Sequence, residues 1–435
     1  MIRRAGHRTK ETPKRLLTQS FLLSLEYVLG STWALVTAIF AMRLWGPETS
    51  GLLAQAQTLI SVLAVLATLG LETTLVKHLI QEPHRVHELM GCALRLRLYG
   101  NLLLAIVAAL CAWCAGLTAP EQIIVIALTF AGQLVQTLII DGFRFTACGD
   151  PRPVVVANIV LTSLFGLARL FMLANGCSVY GFQASIVAEA LTRYLLTRRL
   201  SARRFGPTQS TWNPALARGL IRESAALAAG SFVVTAFMKI DIVIVSTLLP
   251  LHEVGIYSAA VRIIETYMTA IAVLFSLGLV WLTESYANSQ EYQRRLSKLF
   301  RIGFVVSLAC MLLNLLVGKP VFHWLLGASF DQSVDLACLL SVSILATTSG
   351  TIRSFAFSLE GKNIFHLWSA LIGLGFGVPL TIAVTVQMGL EGTAMVVCCC
   401  YFISAVATSL IFPSLRTIGR MQLLLPPHPD TFPAR

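Results

Sequence analysis

Charge is what this sequence has least of. Only 12% of its 435 residues are Asp, Glu, Lys or Arg, against about 25% in soluble domains. Hydrophobic residues make up 56%, and the mean hydropathy is +0.75. A soluble chain of this composition could not cover its surface with polar groups. Long polar segments are scarce as well. The one extended outer loop expected, 318–333, reads as an interfacial helix through Val321, Phe322, Trp324 and Leu325. That leaves no external loop on which an enzyme such as a glycan polymerase or ligase could gather its groups, so no enzyme is expected. No G-x-x-x-x-G-K-[ST] loop is present, which excludes direct use of ATP. Gly373, Gly375 and Gly377 precede Pro379 inside an apolar run, not after a strand. They predict close helix packing or a kink, not a dinucleotide site. No H-E-x-x-H or comparable ligand spacing occurs, so neither a metal nor a cofactor is expected.

What is present instead is a series of apolar runs, each long enough to cross about 30 Å of hydrocarbon as a helix. Six fall at 21–44, 52–76, 98–117, 123–145, 154–173 and 179–196, and six more at 220–249, 254–282, 300–317, 334–357, 365–386 and 393–412. The sixth is short and carries Glu189 and Arg193. The apolar stretches are continuous, whereas barrel strands alternate over about ten residues. The fold class predicted is therefore all-α: a polytopic membrane protein of about twelve transmembrane helices.

Lysine and arginine set the orientation, because they stay on the cytoplasmic side during insertion. Twenty-eight of the 33 fall on alternate sides of the twelve-span scheme, which predicts both termini in the cytoplasm. The exceptions are Arg43, Arg169, Lys239, Arg262 and Lys319. The net charge of +12 then reflects insertion and contact with anionic membrane lipids. With no basic soluble module, no nucleic-acid partner is expected. The basic N-terminus leads into an apolar run too long for a signal peptide and without an A-x-A-like site, so a retained first helix is expected. Cys111-x-x-Cys114 and Cys398–Cys400 lie in apolar helices and read as small packing residues.

The chain also repeats itself at an offset near 210 residues. Leu44–Gly51 aligns with Leu248–Gly255, each a tight outer turn closed by a glycine that opens the next helix. Leu69-Gly70-Leu71 matches Leu277-Gly278-Leu279. Phe143-Arg144-Phe145-Thr146 matches Phe355-Ala356-Phe357-Ser358, Gly149 matches Gly361, and Gly181 matches Gly392. Six spans per repeat predict two six-helix lobes of the same orientation, related by a pseudo-twofold axis along the membrane normal. This is an architecture suited to alternating access around a site between lobes. The expected organisation is an N-terminal lobe 1–197 with a basic tail 1–20, a linker 198–219 containing Gly206, Pro207, Ser210 and Pro214, a C-terminal lobe 220–413, and a tail 414–435, Pro-rich and disordered from Pro426.

Several of these segments carry a resemblance. Arg43–Gly51 resembles the "R-y-L-G-p-e-e-f-G" turn of the bacterial O-antigen and exopolysaccharide flippases. Lys239–Ile244 with Glu253–Ala260 resembles that family's "r-i-D-r-i-i … a-e-v-G-i-Y-s-a-A", and 325–330 and 389–394 resemble two later signatures. The family lies in the superfamily of multidrug antiporters and the lipid II flippase. The resemblance implies transfer of an undecaprenyl-diphosphate-linked oligosaccharide from the inner to the outer leaflet of the bacterial inner membrane, for surface polysaccharide synthesis. Polysaccharide polymerases and assembly proteins are candidate partners, and the sequence leaves their assembly with this chain open. Some relatives have fourteen helices; twelve here argues against a lipid II flippase. The alternative is a small-molecule or multidrug cation-coupled antiporter of the same superfamily.

Ionisable residues inside spans are costly and mark function. Arg169, Lys239 and Arg262 fall at similar depth, and the functional reading is that they attract the substrate's diphosphate. Arginine suits phosphate through its planar fork. Structural alternatives stand beside it: Arg262 and Glu265, three apart, can neutralise each other, and Arg169 can bridge to Asp241. Glu26, Asp241 and Glu265 are the candidate coupling-ion or charge-pair carboxylates. Glu72, Asp141, Glu189 and Glu360, near inner span ends, are expected to meet water or cations.

Overall fold

The computed structural model describes residues 13–207 and 211–425. The tail expected before residue 13, Ser210 of the expected linker and the disorder expected from Pro426 lie outside the described residues. Among those described, the secondary structure is helical throughout and contains no strand. This is the outcome hydrocarbon imposes, since a helix satisfies its backbone groups within one segment.

The chain gathers into two compact units: Met1–Ala38 with Leu63–Ala229, and Ile39–Val62 with Gly230–Arg435. Helix α1 (Pro13–Thr68) contributes to both. Unit one continues with α2 (Leu71–Gln81), α3 (Val86–Cys114), α4 (Pro120–Thr137), α5 (Gly142–Ala147), α6 (Arg152–Ala174) and α7 (Val179–Phe205). Helix α8 (Pro214–Leu248) starts in unit one and passes into unit two. There it is followed by α9 (Leu251–Ser285), α10 (Ser289–Leu313), α11 (Lys319–Leu326), α12 (Asp331–Leu340), α13 (Ser343–Glu360), α14 (Ile364–Phe402), α15 (Thr408–Ile411) and α16 (Arg416–Gln422). Helix α7 runs on to Phe205 and α8 begins at Pro214, so helix covers part of the segment expected as linker. The segment expected as an interfacial helix is helical at α11, which continues α10 through the turn Asn314–Gly318, with Trp324 strongly exposed.

Local chemistry explains where helices start. Asn288 caps α10 by accepting from the amides of Gln290 and Glu291 at 3.1 and 3.2 Å, and Ser178 caps α7 through the Gly181 amide, each satisfying an orphan donor. Breaks occur at Gly46 (φ 76°) and Gly389 (φ 62°), which divide α1 and α14 into two stretches each. Eight described helices are long and apolar enough to cross a membrane as they stand. The bent pair of 328–340 and 343–360 adds one more, at an angle of 50°. Dividing two of these at Gly46 and Gly389 adds two, and α7 supplies the last. Gln183, Glu189 and Arg193 lower the hydropathy of α7. The twelve-helix, all-α membrane architecture read from the sequence is the one observed.

The aligned turns of the repeat meet within unit two. A side-chain carbon on Gly51 would overlap the carbonyl oxygen of Leu251, and one on Gly255 would overlap that of Pro47. Residues 47 and 251, and 51 and 255, are the pairs the repeat aligns. A contact in which each partner meets the other in the same way is that of a local twofold. Gln55, buried, secures the crossing by donating to the Ser246 carbonyl at 2.9 Å. Only glycine permits backbones this close.

Each unit also buries an arginine against the end of its final long helix. In unit one Arg144 donates to Ser201 Oγ (3.2 Å) and to the Phe205 carbonyl (3.5 Å). In unit two Arg353 donates to the Ser404 carbonyl (3.0 Å), Thr408 Oγ1 (2.9 Å) and Ser409 Oγ (3.2 Å). Ser404 sits in a π-turn, Ile403–Ala407, and a cation near the negative end of a helix is stabilised by the dipole. Both arginines count as loop cations in the orientation scheme; the structure buries them. Arg97 is buried too, donating to the Thr137 carbonyl at 2.6 Å with Glu72 at 3.4 Å.

Candidate functional site

Unit two holds four of the six candidate residues, on α8 and α9. Lys239 forms an ion pair with Glu265 from the neighbouring helix. Glu265 is therefore not the partner of Arg262, although the two lie one helical turn apart. Lysine reaches across because its ammonium is otherwise unmatched in an apolar segment, whereas Arg262 has another acceptor. Arg262 Nη2 lies 3.5 Å from Gln57 Oε1 of α1. Of the three candidate cations, Arg262 alone has no carboxylate within 4 Å among the described residues.

Asp241 faces the other way from Lys239, as a spacing of two on a helix requires. It is 6% exposed and accepts from the Tyr257 hydroxyl at 2.9 Å. Tyr257 is completely buried. The Asp241 Oδ1 atom is buried without a hydrogen-bond partner among the described residues. Beside it lies a cavity of about 20 Å³, lined also by Gly373, Gly377, Thr381, Cys400 and Tyr401, roughly the space one water occupies. Gly373 and Gly377 make room here: a side-chain carbon on Gly373 would collide with the Phe237 ring, and one on Gly377 would press on Cys400 Sγ at 3.0 Å. The helix runs on through Pro379, and the close packing read from this glycine run is realised at Gly373 and Gly377.

In unit one Arg169 has its partner within its own unit. It pairs with Glu189 of α7 at 2.5 Å and donates from Nε to Ser185 Oγ at 3.0 Å. Arg193 takes the other Glu189 oxygen at 2.7 Å and also bonds Thr162 Oγ1 at 2.8 Å. Two guanidinium groups thus share one carboxylate, leaving a formal charge of +1. The spacing of Ser185, Glu189 and Arg193 at intervals of four on α7 carries this signal in the sequence. Glu26 accepts from Asn158 Nδ2 of α6 at 2.7 Å and has no ion pair among the described residues. Of the inner-end carboxylates, Glu72 meets Arg97 at 3.4 Å and Glu360 meets Lys362 at 2.8 Å.

The Lys239–Glu265 pair is only partly buried, with side chains 27% and 41% exposed. A double-mutant cycle with Lys239→Gln and Glu265→Gln is expected to give a coupling of about 1 kcal/mol in thermal stability. Glu265→Gln alone should be the most destabilised member, since it strands the ammonium. Additive effects would show that the pair contributes nothing.

Residues 16–282 match the family model described as "Polysaccharide biosynthesis protein". The chain belongs to that family. The flippase resemblance read at Arg43–Gly51 and Lys239–Ala260 falls within the matched residues and is borne out. Among solved structures, the chain is similar to the MATE multidrug transporter DinF-BH, solved in complex with R6G, at 16% identity and a TM-score of 0.63, covering 94% of this chain and 97% of that one. It is equally similar to a MOP-superfamily transporter from Pyrococcus furiosus, described as having a binding pocket of reverse polarity that suggests a different function. Identity there is 15%, TM-score 0.63, and coverage 94% and 95%. A multidrug resistance MATE transporter in an outward-facing conformation gives 15%, 0.63, 94% and 96%. These likenesses establish the fold of this polysaccharide biosynthesis protein as that of the MOP-superfamily transporters. No curated protein sequence matches.

Proposed function

We propose that this chain is a flippase that carries an undecaprenyl-diphosphate-linked oligosaccharide from the inner to the outer leaflet of the bacterial inner membrane, with both termini in the cytoplasm. The match of residues 16–282 to a polysaccharide biosynthesis family carries the reading. The transporter fold and the surplus of intramembrane cations support it. A diphosphate needs cationic donors that no internal carboxylate has already claimed, and Arg262 fits that description best. Arg169 with Arg193 is the second candidate, holding one carboxylate between two guanidinium groups; Lys239, neutralised by Glu265, ranks third. Asp241, with one free oxygen beside a water-sized cavity, is the candidate carrier of a coupled proton or cation, ahead of Glu26 and Glu265. Glycan polymerases are the proposed partners.

The structural likeness to multidrug transporters favours a second reading, a cation-coupled small-molecule antiporter. Lipid-linked oligosaccharides quantified by mass spectrometry in a deletion strain separate the two. The flippase reading expects lipid-linked repeat units to accumulate and surface polysaccharide to fall, both restored by the wild-type gene. Unchanged lipid pools with altered drug sensitivity would establish the antiporter instead.

A further inference from the structure

We infer that unit one carries a binding site for a zwitterionic phospholipid headgroup of the phosphatidylethanolamine type, in the cavity bounded by Asp141, Tyr194 and Arg198. The cavity has a volume of about 180 Å³ and lies where α3, the 138–141 break and α7 converge. Its floor is apolar, with Met90, Leu94 and Leu138. Its polar wall carries one charge of each sign.

Those two charges attract each other across the cavity without closing into a contact pair. Neither Asp141 nor Arg198 belongs to an ion pair within 4 Å among the described residues, although both line the same space. Arg198 donates one N–H to the Tyr194 hydroxyl at 2.9 Å, which leaves four of its five donors available. Asp141 sits beside Ser201, and Arg144 behind it is committed to Ser201 and the Phe205 carbonyl. A plain anion would gain at Arg198 and lose at Asp141. A plain cation would do the reverse. A ligand with a phosphodiester and a primary ammonium a few bonds apart gains at both. The apolar floor suits the glycerol and first methylenes of a lipid more than a free headgroup. A carboxylate at this mouth also runs against the cationic inner side read from the sequence, which by itself would select anionic lipids.

The site is independent of what the protein transports, and its test reads lipid binding alone. Full-length protein, delipidated in mild detergent, would be titrated with phosphatidylethanolamine, its mono- and dimethyl derivatives, phosphatidylcholine and phosphatidylglycerol, with bound lipid counted by native mass spectrometry. The expected result is a preference of about tenfold for phosphatidylethanolamine over phosphatidylcholine, the size of one charge-assisted hydrogen bond. It should decline stepwise with methylation, with phosphatidylglycerol no better than phosphatidylcholine. Asp141→Asn should abolish the discrimination between ethanolamine and choline, and Arg198→Gln should weaken all five lipids. Equal retention of all headgroups, or a preference for phosphatidylglycerol, overturns the proposal. So does an ethanolamine preference that survives Asp141→Asn. Displacement by soluble glycerophosphoethanolamine at the lipid's own concentration overturns the lipid assignment. The methylation series on wild-type protein decides the matter even if a variant fails to fold.

Discussion

A Gly255→Val protein is expected to leave no folded material in the membrane. The added carbon would have to occupy the position of the Pro47 carbonyl oxygen. Overpacking against side chains typically costs 1–3 kcal/mol because rotamers can shift. Here the obstructing atom is backbone at a helix start, so α1 and α9 must move apart along the whole crossing. That separates Gln55 from the Ser246 carbonyl as well. A cost of about 3 kcal/mol or more is a large share of the stability of an ordinary domain. Gly51→Val should behave alike, because its contact with Leu251 is the reciprocal one. Gly375→Val is the matched control: it sits on a membrane helix with open space around its Cα and should accumulate normally. Fluorescence-detected gel filtration of tagged variants reads all three. A Gly255→Val protein eluting as a sharp wild-type peak would show that the crossing is looser than the geometry states.

The sequence held that crossing in plain sight, as two aligned turns ending in glycine at positions 51 and 255. What it could not show was that the aligned turns touch each other, since alignment relates positions without giving distance. The helical architecture was legible for a simpler reason: uninterrupted apolar runs have one stable form in hydrocarbon. The charges were harder to read. Proximity along a helix favoured Arg262 with Glu265, yet Glu265 went to Lys239 on the neighbouring helix. Pairing inside a bundle depends on which helix faces which, and a one-dimensional pattern carries no such information. The intervals of four at Ser185, Glu189 and Arg193 were visible, but only the packing of α6 against α7 makes Arg169 the second guanidinium on that carboxylate. Arg144 and Arg353 misled in the opposite sense. Their places at span ends marked them as loop cations, whereas hydroxyls and carbonyls on the last helix of each half take them inside.

That rearrangement of pairs decides which substitution should hurt transport most. On the flippase reading proposed above, Arg262→Gln is expected to lower flipping at least about 30-fold, equivalent to about 2 kcal/mol, the lower range for removing one partner from a desolvated charge pair. Among the described residues its guanidinium bonds only Gln57, at 3.5 Å, a weak bond that an incoming phosphate can replace without leaving a carboxylate unpaired. Arg262→Lys should recover part of the loss and no more, because an ammonium keeps the charge but not the bidentate fork. The informative comparison is the double variant Lys239→Gln, Glu265→Gln, which removes a neutralised pair and alters no net charge. Its transport should stay within a few-fold of wild type if the pair is structural. All three variants would be read in the deletion strain by the pool of lipid-linked repeat units, normalised to folded protein. Wild-type pools with Arg262→Gln would remove this residue from the anion path and move the expectation to Arg169 and Arg193. In that cluster a diphosphate can enter only by displacing Glu189 from its two guanidinium partners, so Glu189→Gln would then be expected to raise affinity for inorganic pyrophosphate instead of lowering it.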